Sequence, residues 1–214
     1  MSFELSEPTE AVLRAAQAVS SSLRIVGGTG LALLLGHRRS ANVDLFVETD
    51  EPLRPVIDAV SEAARQRGGT VTPVRTTPRF HRLDVRSGDE TVRIDVANDA
   101  SPRLDRGVAV RGLVVESLRD QRANKLVAAL GRSELRDLVD LYFIERAGLP
   151  ALEGLDDALS KDGGMDPAWL AWALDQIEID ELPGMIADLP VTALAAYRDR
   201  LRDRLLDRAG AGQP

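Results

Sequence analysis

Cysteine is absent from the chain, which excludes disulfides, thiolate zinc sites and thiol catalysis. The missing thiols fit a reducing compartment, so a cytoplasmic location is expected. Histidine occurs only as His37 and His81, so no Ser-His-Asp arrangement can be argued and no histidine metal centre is expected. Lysine is nearly absent as well: apart from Lys125 and Lys161, the other 25 basic residues are arginine. An arginine-favouring genome accounts for most of that imbalance, yet it makes each surviving lysine less incidental. No stretch approaches about 18 uninterrupted apolar residues. Met1-Ser2-Phe3-Glu4 lacks a basic segment leading into an apolar run, so neither export nor membrane insertion is expected.

What is present supports a folded globule. Of 214 residues, 44% are hydrophobic, enough for one large domain or two small ones with a real core. The net charge of −7 argues against a generic polyanion binder, but its distribution is uneven. Residues 151–190 hold ten acids against the single base Lys161, a local charge of −9, which leaves +2 elsewhere. An acidic C-terminal part beside an arginine-rich remainder still permits a local nucleic-acid site.

Periodicity divides the chain near residue 115. Pro8 and the apolar spacing Val12, Ala15, Ala16, Val19 predict a helix over 8–22. A short strand at 23–26 meets Gly27-Gly28, and 31–35 is apolar all round, as in a short buried helix. A strand at 42–47 and a helix from Pro52 to about Arg67 follow, the latter ended by Gly68-Gly69. Strands are predicted at 70–74, 80–86, 91–96, 108–110 and 113–115, with Ser87-Gly88-Asp89 as a hairpin turn. From Glu116 the period becomes 3.6, giving helices at about 116–130, 133–147, 151–160, 167–177 and 191–208. The expected architecture is an α/β (α+β) domain over 1–115 with a mixed sheet, and an all-helical domain over 116–214.

Several residues could carry chemistry. Gly27-Gly28-Thr29, between a strand and a helix, offers backbone N–H groups and a hydroxyl to a phosphate, or is a tight turn alone. It fits neither a Walker A loop nor a dinucleotide fingerprint. His37-Arg38-Arg39-Ser40 adds positive charge beside it, as a solvated loop or with Arg38 paired to a carboxylate. Asn42 and Asp44 point to one face of a strand, being two residues apart. Two aspartates there would make a clamp for Mg²⁺, which takes oxygen ligands and substrate phosphates. Asp95 stands between Ile94 and Val96, either on a solvated face or in a site with His81 or Arg82 and Arg93. Lys125, among small and apolar residues, either snorkels outward or points into a site, and alone it favours snorkelling. Asp137 and Asp140 lie one turn apart, with an Arg136–Asp140 pair as the plain alternative. Trp169 and Trp172 read as core residues rather than stacking platforms.

Taken together, the residues from 23 to 144 resemble the AbiEii/AbiGii-type nucleotidyltransferase toxins, which include the MenT toxins. The likeness rests on Gly27-Gly28-Thr29, the apolar helix, Arg38-x-Ser40-x-Asn42-Val43-Asp44-Leu45-Phe46, then Asp95, Lys125 before Ala129-Leu130, and Arg136-Asp137 through Asp140-Leu141-Tyr142. The resemblance implies a DNA-polymerase-β-like nucleotidyltransferase core and a helical C-terminal domain. It implies an NTP substrate, Mg²⁺ or Mn²⁺, and toxin activity, in some members by adding nucleotides to the 3′ acceptor end of tRNA. It also implies an antitoxin partner; that no membrane is involved is the expectation from the lack of long apolar runs. Carried onto this chain, Gly27, Gly28 and Thr29 would hold triphosphate, while Arg38, Arg39 and Ser40 support it. Asp44 and Asp95 would be the catalytic metal-side acids, beside position 42. Lys125 would meet phosphate or the leaving group, and Asp137 and Asp140 would line the pocket.

Position 42 departs from the pattern: the family has aspartate where this chain has Asn42, a neutral amide and a poor Mg²⁺ ligand. The change implies weakened or one-metal activity, or a nucleotide-binding or protein-interaction relative without turnover, and it is either natural or an engineered inactivation. A nucleotidyltransferase acting on another RNA, or on a protein or small-molecule hydroxyl, stays open beside the tRNA reading.

Overall fold

The computed structural model describes residues 4–182, 184, 186 and 189–211. The chain forms two compact units, an α/β unit of residues up to 100 plus 106–116, and a helical unit of residues 101–105 and 117 onwards. Neither the mixed sheet nor the helical C-terminal part departs from the class expected. The placement of residues 101–105 in the helical unit is a feature that periodicity does not announce.

In the α/β unit, seven strands form one mixed sheet: β1 (Arg24–Val26), β2 (Asn42–Glu48), β3 (Thr70–Thr77), β4 (Phe80–Ser87), β5 (Glu90–Asp99), β6 (Val108–Val110) and β7 (Leu113–Val115). Their order across the sheet is β3-β4-β5-β2-β1-β7-β6. Two neighbour pairs, β2 with β5 and β1 with β7, run parallel, and the rest are antiparallel. The edge strand β3 is longer than predicted and tolerates Pro73 because its register shifts there, and an edge position needs no donor on its outer side. The β6–β7 hairpin turns through Arg111 and Gly112, both at positive φ, as a two-residue turn of that handedness requires.

Three helices complete this unit: α1 (Glu7–Val19), α2 (Gly27–Leu35) and α3 (Arg54–Arg65). The first ends three residues before the predicted boundary. Ser20 accepts a hydrogen bond from the Leu23 N–H and the Ser22 hydroxyl bonds Glu51, so serine side chains compete with the helix there. The apolar faces of α1 and α3 cover one face of the sheet. Leu13, Val56 and Val60 pack there with Val43, Leu45, Leu83, Ile94 and Val96, all essentially buried. Because strand residues alternate, the opposite face of β2, β4 and β5 is left to Asp44, Arg82, Asp84, Arg93 and Asp95.

The helical unit contains α4 (Leu118–Arg132), α5 (Leu135–Arg146), α6 (Leu155–Lys161), α7 (Pro167–Asp175) and α8 (Val191–Ala211), with a 3-10 turn at Ala151–Gly154. Two of the boundaries that differ from expectation sit at turns. Gly131 does not break α4, which continues to Arg132 and stops where Ser133 turns left-handed at φ 50°. The helix expected over 151–160 starts as that 3-10 turn and becomes α-helical only from Leu155. The core gathers Leu126, Leu138, Leu141, Leu170, Leu174, Leu194 and Leu201.

The side chains of both lysines are buried in this unit. Lys161 Nζ lies 2.8 Å from Asp120 Oδ1, with side chains 2% and 0% exposed. Asp120 also accepts the Leu104 and Asp105 N–H groups at 2.9 Å and the Ser117 hydroxyl at 2.7 Å. Burial pushes the Asp120 carboxyl up, but these donors outweigh it and hold the group below its ordinary value. One satisfied carboxylate thereby fastens residues 101–105 to the start of α4.

Candidate functional site

The glycine turn enters directly into a helix. Gly27 stands at the start of α2 with φ 63°, a backbone that side chains rarely adopt. A second constraint acts on the same residue, because a Cβ on Gly27 would lie 2.7 Å from Asp44 Oδ2. The Asp44 carboxylate thus rests against bare backbone. Gly28 is similarly restricted: the space a Cβ would need is filled by the Arg38 guanidinium. Arg38 is buried, and its Nη1 donates to the Arg39 carbonyl at 3.1 Å, while the Arg39 side chain is exposed.

Thr29 and Ser40 share one partner. Both hydroxyls donate to the Asn42 carbonyl, Ser40 at 3.0 Å, and Thr29 is fully buried. They fasten the start of β2 to α2, and so set the position of the strand that carries Asp44. Asn42 itself is exposed.

Across the polar face of the sheet the register makes two rows. Asp44 pairs with Asp95, and Asp95 with Arg82; Asn42 pairs with Arg93, and Arg93 with Asp84. The rows are closed by two forked ion pairs. Arg82 donates to both Asp95 oxygens at 2.8 and 2.7 Å, and Arg93 to both Asp84 oxygens at 2.9 and 3.3 Å. Donating hydrogen bonds to Asp95 raises the Arg82 guanidinium above its ordinary range, with a smaller contribution from the Asp44 charge. The choice between His81 and Arg82 is therefore resolved. His81 stands opposite Val96 on the core side, where burial and the Arg54 charge lower its pKa.

Two carboxylates in register, one of them against a glycine backbone, suit a small hard cation. Mg²⁺ binds through one or two carboxylates and completes its shell with water and substrate phosphates. Asp44 and Asp95 fit that pattern. Asn42 brings an amide rather than a third carboxylate, and among the described residues no group of three or more His, Cys, Asp or Glu is arranged to hold a metal. Counting Asp44, Asp95 and Arg82, the local charge is −1, where an aspartate at 42 would make it −2.

The remaining expected residues form a separate cluster inside the helical unit. Lys125 Nζ lies 2.8 Å from Asp137 Oδ1 and 2.7 Å from Asp140 Oδ2, with both carboxylates 0% exposed. Arg132 adds a fork to Asp137 at 2.7 and 2.9 Å. Burial alone would raise the Asp137 pKa, but hydrogen bonding from Arg132 and the Lys125 charge overcome it and hold the carboxyl low. Lys125 therefore does not snorkel, because two buried carboxylates one turn apart compete successfully for its ammonium. Arg136 pairs with Glu134 at 3.0 Å rather than with Asp140.

Three sequence readings are corrected or extended here. Trp169 and Trp172 are 64% and 58% exposed, so they are not core: the buried face of α7 is filled by Leu170, Ala171, Ala173 and Leu174. Arg132 was missed as a partner of Asp137, being hidden at the end of a helix. The Arg82–Asp95 pair was legible in principle, since Arg82-Leu83-Asp84 and Arg93-Ile94-Asp95 are complementary when laid antiparallel.

One family model covers most of the chain, and solved structures share its fold. The model "Nucleotidyl transferase AbiEii toxin, Type IV TA system" matches residues 11–209. A Helicobacter pylori protein described as a nucleotidyltransferase superposes with a TM-score of 0.62 at 16% identity, over 98% of this chain and 100% of its own. Another, JHP933 from Helicobacter pylori, gives 0.60 at 20% identity over 97% of each chain. MenT4, a nucleotidyltransferase toxin from Mycobacterium tuberculosis, gives 0.52 at 18% identity over 92% of this chain and 80% of its own. At these identities the superpositions speak for the fold. No curated protein matches the sequence.

Proposed function

The chain belongs to the AbiEii nucleotidyltransferase toxin family, and from that premise we propose that it transfers a nucleotide from an NTP to an RNA hydroxyl, the 3′ acceptor end of tRNA being the favoured target. The observation that carries this reading is the Asp44–Asp95 register beside Gly27. Asp44 and Asp95 would hold Mg²⁺ or Mn²⁺ with the triphosphate. When bound, the metal would neutralise phosphate charge and favour the attacking oxygen of an in-line displacement at the α-phosphate. The acceptor oxygen forms the new bond to that phosphorus, its proton passes to solvent or a carboxylate, and pyrophosphate leaves.

The chain's own residues do the positioning. The N–H groups at the start of α2 face a phosphate favourably because a helix N-terminus is short of acceptors. Arg38 braces Gly28, and Thr29 and Ser40 hold β2 so that Asp44 keeps its place. Arg39 adds exposed positive charge. Lys125, which the resemblance would put on phosphate or leaving group, is instead committed to Asp137 and Asp140 within the helical unit. Of the arginines able to attract an RNA backbone, Arg82 and Arg93 are spent on carboxylates, which leaves Arg39, Arg75 and Arg79 as the better candidates. No helix among the described residues is long and apolar enough to cross a membrane, and the cytoplasm, where NTP and tRNA meet, is the proposed compartment. A cognate antitoxin is the proposed protein partner.

The test is direct. The chain and its Asn42→Asp form are incubated with Mg²⁺ or Mn²⁺, total tRNA and each labelled NTP in turn. Label in RNA supports the reading, and no label from any of the four NTPs in either form ends it. Asn42 and the Arg82–Asp95 fork favour a second reading, a nucleotide-binding relative without turnover. Calorimetry separates the two: NTP binding without product supports it, whereas robust turnover with Asn42 in place removes it.

A further inference from the structure

The solvent face of α7 is aromatic where a surface helix is normally polar. Its exposed positions include Ala168, Trp169, Trp172 and Asp175, and the two indoles meet edge to face at 6.0 Å between ring centroids. A shallow groove of about 380 Å³ opens beside them, lined by Ala168, Ala171, Trp172, Asp175, Arg202 and Leu206. Leu206, on α8, is itself 50% exposed. Both tryptophans lie outside every role discussed above, and holding two large indoles in water wastes apolar area unless something covers them.

The charge around the patch indicates what covers it. No basic residue occurs between Lys161 and Arg198, while Asp162, Asp166, Asp175, Glu178, Asp180 and Glu181 all fall in that interval. Arg202, the one base in the groove lining, is matched by three carboxylates: Asp175 at 3.0 Å, Asp199 at 3.3 Å and Asp203 at 2.9 Å. Even with Arg198, Arg200, Arg202, Arg204 and Arg208 of α8 counted, residues 162–208 carry ten acids against five bases. An aromatic patch on so acidic a stretch repels a phosphate backbone, which disfavours RNA as the occupant despite the attraction of indoles for bases. It complements a polypeptide that is apolar at its centre and basic at its edges. Tryptophans at the middle of such a patch are the residues that anchor protein interfaces.

We propose that the α7–α8 face is a docking surface for a protein partner, engaged through an amphipathic basic segment whose apolar side chains cover Trp169 and Trp172 and enter the groove. The surface is independent of the nucleotidyl-transfer reading.

The experiment uses the full chain and a fluorescein-labelled 18-residue peptide of leucine and lysine in amphipathic helical order, followed by anisotropy. A leucine–glutamate peptide of the same pattern is the control. The cationic peptide should bind and the acidic one should not. Trp169→Ala with Trp172→Ala should weaken binding at least about tenfold, and Glu178→Lys with Glu181→Lys should weaken it severalfold and blunt its salt dependence. The double Trp→Phe form, which keeps aromatic area, should bind within about threefold of the parent, and circular dichroism checks that all forms stay folded. Unchanged affinity in the Trp→Ala form overturns the proposal. So do equal binding of the acidic peptide, Trp-dependent binding of tRNA at this face, and Trp-dependent self-association in sedimentation, the last assigning the surface to a second copy of the chain.

Discussion

The sheet face and the helical cluster use the same chemical cast, two aspartates with a cation, and differ chiefly in solvent access. On the sheet, Arg82 is 38% exposed and Asp95 13%, so water can replace either partner. In the helical unit Lys125 is 7% exposed and Asp137 and Asp140 are 0%, so removal of one partner strands the others in apolar surroundings. A pair that water can reach can be surrendered to a metal or a phosphate. A pair that water cannot reach is committed to holding α4 against α5. Burial, more than residue type, separates a charge available for chemistry from one spent on structure.

The strongest way to break this contrast is to delete the buried cation. Lys125→Met should destabilise the chain by about 3–5 kcal/mol, because two carboxylates stay buried with less compensation; urea unfolding measures it, and a loss under 1 kcal/mol would place Lys125 with the exchangeable charges. Asp44→Ala should do the reverse, leaving the unfolding midpoint nearly unchanged while slowing nucleotide transfer by about a hundredfold or more, some 3 kcal/mol in the barrier. A large stability loss there would make Asp44 a structural residue. Gly27→Ala addresses the seat of Asp44: a left-handed backbone and a 2.7 Å approach to Oδ2 make it strained, and a loss of about 1–3 kcal/mol is expected with weakened metal binding.

Smaller effects sharpen the sheet side. Asn42→Asp and Arg82→Gln each make the polar face more negative by one charge, and each should tighten Mn²⁺ binding roughly tenfold by calorimetry, about 1.4 kcal/mol. Because the Arg82 side chain is 38% exposed, Arg82→Gln should cost no more than about 1 kcal/mol of stability. If metal binding tightens only with Asn42→Asp, Arg82 is a spectator. The least effect is in pH. The folded Asp137 pKa lies below its ordinary value, so its contribution is full above about pH 4 and is lost as pH falls through the folded value. Acid titration should therefore loosen the helical unit only below about pH 4, and Asp137→Asn, though less stable, should lose that dependence.

Much of this molecule was legible in the residues themselves. Alternation in Val43, Leu45, Ile94 and Val96 marked the buried side of the strands, and thereby assigned Asp44 and Asp95 to the other side. Capping and period located the helices to within a few residues, with misses where serines or a glycine ambiguous between helix and break decided the end. The motif order from Gly27 to Tyr142 pointed to the family that the comparisons show. The tryptophans were misread because a helix of nine residues rich in alanine and leucine looks apolar on every side, and only packing reveals which side is covered.

What the sequence determined by itself is local and periodic: strand faces, helix spans, and the family motif with its Asn42 departure. Tertiary structure alone decided who pairs with whom. It set Arg82 on Asp95, Arg38 on Gly28, and Lys125 between two aspartates, and it left Trp169 and Trp172 in water. The reason is physical. Periodicity depends on neighbours within one turn or one strand, whereas an ion pair or a burial state depends on groups that meet only when distant segments fold together, and no local pattern encodes the distance between them.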